Sequence, residues 1–256
     1  MEPWPTGVQR RALREVDSTN AEAARMAAKG ETGPVWITAE VQTRSRGRRG
    51  RYWASHTGNL HATFLFLPRG EPKDAALRSF TAALALYDSL IVLTGRQDLF
   101  ALKWPNDVLL SGRKLAGILL ELCAAPALYP QPLAVGIGVN LSYAPEASGL
   151  EDGALPPVSI EEATGLVLEP IDFLEVLAPA YSAWEARLAS DGFDPIRQAW
   201  LSRATRLGDT VVARLPDREI RGVFRTIDKT GAILLDTEGG RVALPAAEIH
   251  FCPPGH

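Results

Sequence analysis

From Leu207 onward the chain changes period. Residues 211–215, 220–227, 232–236 and 241–244 alternate apolar and polar side chains in short runs, divided by turn residues such as Lys229-Thr230-Gly231 and Glu238-Gly239-Gly240. Such a run buries one face only as a strand, because its side chains alternate with a period of two. This predicts a small five-stranded β-barrel of roughly 50 residues at the C-terminus. The 256 residues exceed one compact domain, and the change of period predicts domains at 1–205 and 206–256.

Before that point helical and strand periods mix. Asp17-Ser18-Thr19-Asn20 precedes an alanine-rich run to Lys29, with Glu22 three residues after Thr19 and Gly30 beyond the end, which predicts a helix opened by a capping box. Residues 35–39, 60–67, 99–103, 115–123 and 133–141 read as strands and 75–93 as a long helix. The stretch 143–157 reads as a surface loop. Leu174, Leu177, Tyr181, Trp184 and Leu188 fall on one helical face, where Pro179 should bend or shorten the helix, and 196–203 is a final helical piece. The fold class expected is α+β, a mixed sheet packed with helices.

Hydrophobic residues make up 46% and charged residues 22% of the chain, enough for a real core. Lys plus Arg number 27 against 30 for Asp plus Glu, so there is no general attraction to nucleic acid or anionic membranes and any basic site must be local. Cys123 and Cys252 form no ligand-spaced cluster, nor do the four histidines, so no protein-borne metal is expected and a reducing cytoplasm fits best. Charges before Asp17 interrupt any signal peptide, and Asp88 interrupts the apolar stretch 81–94, so neither export nor a membrane span is expected.

Arg44-Ser45-Arg46-Gly47-Arg48-Arg49-Gly50-Arg51, followed by Tyr52-Trp53, is the most unusual segment. A solvated charge run or a nucleic-acid patch is one reading. The other is a loop folding over a nucleotide: glycines admit close backbone approach, guanidiniums grip phosphates and Trp53 offers a flat face to a base. Lys103-Trp104-Pro105-Asn106-Asp107 is a strand end turning at proline, followed by Arg113-Lys114-Leu115-Ala116-Gly117-Ile118, where Lys114 enters an apolar strand with few partners except an anion. Gly136-Ile137-Gly138-Val139-Asn140 lacks dinucleotide-fingerprint spacing and suits a buried strand with close backbone packing.

Taken in order, these five motifs resemble those of biotin protein ligases, from about Val16 to the end. The resemblance implies a catalytic domain of the class II aminoacyl-tRNA-synthetase-like biotin ligase fold, followed by a small SH3-like β-barrel. It implies that Ser18, Thr19, Asn20 and Gln42 bind the ureido ring of biotin, that Arg46 with Gly47 and Arg48 meets its carboxylate, and that Gly117 belongs to the same site. Lys114 would lie between that carboxylate and the α-phosphate. Arg48, Arg51, Trp53, Asn106 and Asn140 would hold the nucleotide, with Trp53 near adenine, and Asn106 and Asp107 would stand where acceptor lysine and adenylate meet. Lys114, Arg46 and Asp107 are the catalytic candidates. Ser45 stands where the family pattern commonly has glycine, and would strain the loop if that position requires positive φ.

ATP and biotin would be the substrates, Mg2+ would accompany the nucleotide, and the partner would be the biotin carboxyl carrier domain of acetyl-CoA carboxylase or a related carboxylase, with the ligase a monomer or homodimer. A lipoyl or octanoyl transferase is the nearest rival, but Ser18-Thr19-Asn20 and Gln42 suit a ureido group, and no cysteine is placed for an acyl thioester. Against a nucleic-acid module stand the balanced charge and the lack of room before Val16 for a helix-turn-helix, so no DNA and no membrane partner is expected. Asp107 would orient the acceptor ammonium and help remove its proton.

Overall fold

A computed structural model describes residues 2–125, 130–147, 153–245 and 247–251. Seven strands form the first sheet. In chain order the elements are β1 (Gln9–Val16), α1 (Thr19–Ala28), β2 (Val35–Gln42), β3 (Leu60–Phe66), α2 (Arg78–Thr94), β4 (Phe100–Lys103), β5 (Asp107–Leu110), β6 (Arg113–Leu122) and β7 (Leu133–Val139). They are ordered β1-β2-β3-β7-β6-β5-β4, with β1 parallel to β2 and all other neighbours antiparallel. The sheet is mixed, as the sequence predicts. After it come α3 (Ile160–Thr164), α4 (Pro170–Asp191) and α5 (Phe193–Leu201).

Every residue of β3 is buried, because helices cover both faces of the sheet centre. On one face α2 and α4 close the main core, where Trp36, Phe64, Phe66 and Tyr181 pack against one another stacked, tilted or edge to face; Trp36 and Phe64 lie 4.9 Å apart and Phe64 and Tyr181 5.2 Å. Each ring contributes about 2–3 kcal/mol of burial there. On the other face Ala23, Met26 and Ala27 of α1 seal a smaller cluster with Ile37, Leu65 and Ala134. The segment Asp74–Thr94 is long and apolar enough to cross a membrane, yet it is the core helix here, buried from Phe80 to Tyr87 and again at Ser89 and Leu90.

Two local expectations are corrected. Pro179 does not limit α4: the helix runs 22 residues through it, and buried Phe173, Leu174, Leu177, Ala178 and Tyr181 on either side of the proline offset the lost hydrogen bond. Nor is there a capping box, since Ser18 is the N-cap with no side-chain cap bond and Thr19 is already helical. Its hydroxyl is engaged elsewhere, and Glu22 pairs with Arg25 and Arg11.

The last five strands, β8 (Thr210–Arg214), β9 (Glu219–Ile227), β10 (Ile233–Thr237), β11 (Gly240–Leu244) and β12 (Glu248–Phe251), form an antiparallel sheet ordered β11-β10-β9-β8-β12. It is stitched to the larger part through the Trp104 indole N–H, which donates to the Gly231 carbonyl at 3.0 Å, while Gly231 lies against Phe80. β12 thereby reaches the cavity edge. Cys252 and His256 lie outside the described residues.

Candidate active site

The site opens over the centre of the first sheet, where β6 and β7 carry glycine. Ser18, Thr19 and Asn20 at the start of α1 are all buried and face this opening. The Thr19 N–H and hydroxyl both donate to Gln42 Oε1, at 2.8 and 3.2 Å, and Thr63 Oγ1 lies 2.8 Å from Thr19 Oγ1 and 2.7 Å from Asn20 Oδ1. Asn20 Nδ2 donates to Glu121 at 2.8 Å and to the Leu119 carbonyl at 3.3 Å. The side chains of Thr19, Asn20 and Gln42 are thus held in one orientation by their neighbours, an arrangement that recognises a small polar ring by fixed donors and acceptors.

Glycines on β6 and β7 leave room for it. A Cβ on Gly136 would stand 2.3 Å from Asn20 Oδ1, and one on Gly138 would stand 2.7 Å from the Trp53 indole, which also lies 3.2 Å from the Cβ position of Gly117. Trp53 therefore rests on bare backbone. Gly136→Ala is expected to displace Asn20 and raise the KM for the ring-bearing substrate about 30-fold, roughly 2 kcal/mol, with the KM for nucleotide unchanged. Steady-state titration of each substrate checks this; an unchanged pair of KM values would show that Asn20 does not contribute to binding.

Beside this slot of about 70 Å³ lies a larger cavity of about 310 Å³, and both are walled by Gly47, Arg48, Trp53, Asn106 and Lys114. The arginine loop forms the shared rim. It is a closed turn: Arg46 bridges Tyr52, the Gly47 N–H donates to the Arg51 carbonyl at 2.7 Å, and Ser45 Oγ donates to the Trp53 carbonyl. Ser45 is buried and stands outside the positive-φ residues; in this loop those are Arg49 at 57° and Gly50 at 72°. So the backbone conformation at Ser45 is unstrained, and its hydroxyl fastens the loop base.

Charges organise the larger cavity. Lys114 Nζ lies 2.8 Å from Asp107 Oδ1, and Lys103 Nζ lies 3.7 Å from Asp107 Oδ2. Burial alone would raise the Asp107 pKa, but the two ammonium groups outweigh it and hold the carboxyl below the usual range. A carboxylate so stabilised orients a cation well and accepts a proton poorly, which weighs against the proton-removing half of the role expected for Asp107. Asn106 Nδ2 donates to the Ile118 carbonyl at 2.8 Å, and its Oδ1 accepts from Arg48 at 3.3 Å. Asn140 Nδ2 is committed to the Val158 carbonyl at 3.2 Å.

The structure brings every residue singled out by the sequence to these two cavities or their rim, with two engagements that sequence did not reveal. Arg46 is paired with Glu121 at 3.0 Å, and Arg51 with Glu248 of β12 at 2.5 Å. Thr63, Glu121 and Glu248 were missed. Thr63 sits in β3, whose alternation is hidden by burial on both faces, Glu121 lies half-buried near the end of β6, and Glu248 belongs to the other sheet; only the fold brings them here.

Comparison with known proteins accords with this geometry. Residues 13–140 match the Biotin/lipoate A/B protein ligase family, and residues 207–251 match the Biotin protein ligase C terminal domain. A biotin--[acetyl-CoA-carboxylase] ligase of Paracoccus denitrificans is 49% identical over 240 residues, covering 93% of this chain and 99% of that one. The chain belongs to the biotin protein ligase family. Another biotin--[acetyl-CoA-carboxylase] ligase, of Mycobacterium tuberculosis, is 32% identical over 93% of this chain and 86% of its own length. Among solved structures, the biotin protein ligase of Aquifex aeolicus in complex with biotin and ATP superposes with a TM-score of 0.79 at 27% identity, over 94% of this chain and 97% of that one. The biotin ligase fold expected from the motifs is therefore the one found.

Proposed function

We propose that the two cavities are the biotin and ATP subsites of a biotin protein ligase, and that the residues lining them perform its two half-reactions. The enzyme forms biotinyl-5'-AMP from biotin and ATP and transfers the biotinyl group to a lysine of a carboxylase's biotin carboxyl carrier domain. The observation that carries the assignment of subsites is the common wall: Lys114, Arg48 and Asn106 stand where a ligand in the narrow slot would meet one in the larger cavity.

In the first half-reaction a biotin carboxylate oxygen attacks the α-phosphorus, the bond to the bridging oxygen breaks, and pyrophosphate leaves with the electron pair. No protein nucleophile is needed; the task is to align two anions and neutralise their repulsion. Ser18, Thr19, Asn20 and Gln42 fix the ring, Lys114 and Arg48 supply positive charge at the junction, and Trp53 excludes water between the subsites. Arg46 exchanges its Glu121 partner for the biotin carboxylate as the substrate enters.

Among the described residues no three metal-ligating side chains converge. A magnesium ion carried in by the triphosphate would be held through the phosphates and one or two carboxylates, and Asp107 and Glu248 are those in the wall. When bound, the ion neutralises charge on the phosphates. In the second half-reaction Asp107 orients the acceptor lysine's ammonium, whose proton passes to solvent before the amine attacks the acyl carbon and AMP departs.

Biotin-dependent exchange of labelled pyrophosphate into ATP tests the reading without an acceptor protein. Exchange with biotin and none with lipoate is the expected result. Exchange with lipoate alone would overturn it in favour of the lipoyl branch, and exchange with neither would overturn the adenylation chemistry itself. We place the protein in the cytoplasm, a reading supported by Cys123, which is free and buried.

A further inference from the structure

Lys103 ends β4 just before Trp104, and its side chain lies in the wall of the larger cavity. The residue is only 9% exposed. Among the described residues its ion pair is with Asp107 at 3.7 Å, and Asp107 has a nearer cation in Lys114 at 2.8 Å. Two ammonium groups therefore share one carboxylate at close range, and Glu248, already engaged by Arg49 and Arg51, acts on Lys103 only as a more distant negative charge. The Phe251 ring, 5.7 Å from the ammonium, adds a cation–π contact at the outer edge of its range, which offsets part of the charge without the donors' needs being met as an anion would meet them. Burial acts against that charge and pulls the Lys103 pKa below the ordinary lysine range, with Asp107 opposing. Keeping a cation there is costly unless a ligand anion completes its shell.

The two lysines do not serve the same part of the ligand. Lys114 walls both cavities, whereas Lys103 walls the larger one alone, on the side formed by Glu248 and Ile249 of β12. Lys103 thus faces nucleotide away from biotin. Arg49 and Arg51 line the same cavity and meet at Glu248, so this end is the cationic one.

Resting on the ligase reading above, we propose that Lys103 is a further catalytic residue, the cation that binds the β- and γ-phosphates of ATP and stabilises the pyrophosphate as it leaves. When the α-phosphorus bond to the bridging oxygen breaks, its electron pair adds negative charge to the pyrophosphate, and the Lys103 ammonium lies against that growing charge. No proton need move. Biotinyl-5'-AMP carries no pyrophosphate, so Lys103 matters to the first half-reaction and not to the second.

That separation supplies the test. Lys103→Met is compared with the unaltered enzyme in three measurements: biotin-dependent pyrophosphate exchange, transfer from synthetic biotinyl-5'-AMP to a carrier domain, and calorimetric binding of inorganic pyrophosphate with magnesium. Exchange is expected to fall about a hundredfold and pyrophosphate affinity about tenfold, with transfer within about twofold of normal. Loss of transfer alongside exchange would mark a residue that shapes the whole site and overturn the proposal. So would loss of transfer alone, which would make Lys103 the group that takes the acceptor's proton, and so would three unchanged values. Lys103→Gln, which removes the charge but keeps a polar side chain in the wall, serves the same comparison if the methionine variant does not fold. Failure of exchange in the unaltered enzyme strikes at the ligase reading, whereas normal exchange in both strikes at Lys103 alone.

Discussion

Lys114→Ala is expected to reduce biotin-dependent pyrophosphate exchange about a thousandfold, a loss of roughly 4 kcal/mol in transition-state stabilisation. The size follows from position. Lys114 is the lysine common to both cavity walls, and its backbone is fixed on either side: its N–H donates to the Pro156 carbonyl at 2.9 Å and its carbonyl accepts from the Val158 N–H at 3.0 Å. Its ammonium is thus held where the attacking carboxylate and the α-phosphate repel each other most. Removing it also leaves Asp107 buried with Lys103, at 3.7 Å, as its remaining ion partner, adding a negative charge to a place that must receive anions. Lys114→Arg keeps the charge but cannot place a compact ammonium in the same spot, and should recover only part of the rate. Both are read by exchange at saturating biotin and ATP. A rate within tenfold of normal in the alanine variant would remove Lys114 from the reacting centre.

Most of the larger architecture was legible because it rests on local periodicity. Four of the five strands of the second sheet, β8 to β11, and the helix around α2 announce themselves by alternation or by long apolar runs bounded by turn residues, whereas β12 has no run of its own in the sequence reading. What escaped has a physical cause in each case. β1, with its run of Arg10, Arg11 and Arg14, is an edge strand with six exposed positions in eight, so burial imposes no pattern on it. β5 is four buried residues beginning two positions after Pro105, too short for a period to show. The capping box misled because Thr19 has two possible uses for one hydroxyl, and the pocket network took it. Among site residues, the motif-borne ones were readable because glycine, arginine and lysine are unusual in apolar strands. Glu121 and Thr63 were not, since an ordinary strand also carries such residues on an open face, and only pairing of β6 and β3 with β7 turns them toward Asn20. The role of β12 in closing the nucleotide cavity was illegible for a different reason: about 200 residues separate Arg51 from Glu248, and no local pattern records a contact so remote.

His61 sets the other large expectation, a loss of about 3 kcal/mol of folding stability as pH falls from 6.5 to about 4. The imidazole is 2% exposed on β3, and burial pushes its pKa down to about 4 from an ordinary 6.5. Between those values the unfolded chain binds a proton that the folded protein refuses, so stability rises with pH through this window and falls as the solution is acidified. Above 6.5 both states are neutral, and below about 4 both are charged, so the effect is confined. Asp17, held down to about 2 by Arg25, loses its contribution only as pH falls below 3.8, outside the window. Denaturant melts at pH 7, 5.5 and 4.5 should show the slope, and His61→Gln should make it shallower, since an amide can still meet Ser55 without titrating; His250, whose pKa burial also lowers, keeps part of the slope in both proteins. The consequence reaches the active site. His61 Nε2 lies 3.1 Å from Ser55 Oγ, and that hydroxyl accepts the Gln42 N–H at 2.8 Å, so the same acidification should weaken biotin binding in the unaltered protein more than in the glutamine variant. Parallel slopes in the two proteins would mean that the folded protein admits the proton at His61 without cost, and that neither the stability window nor the link to Gln42 exists.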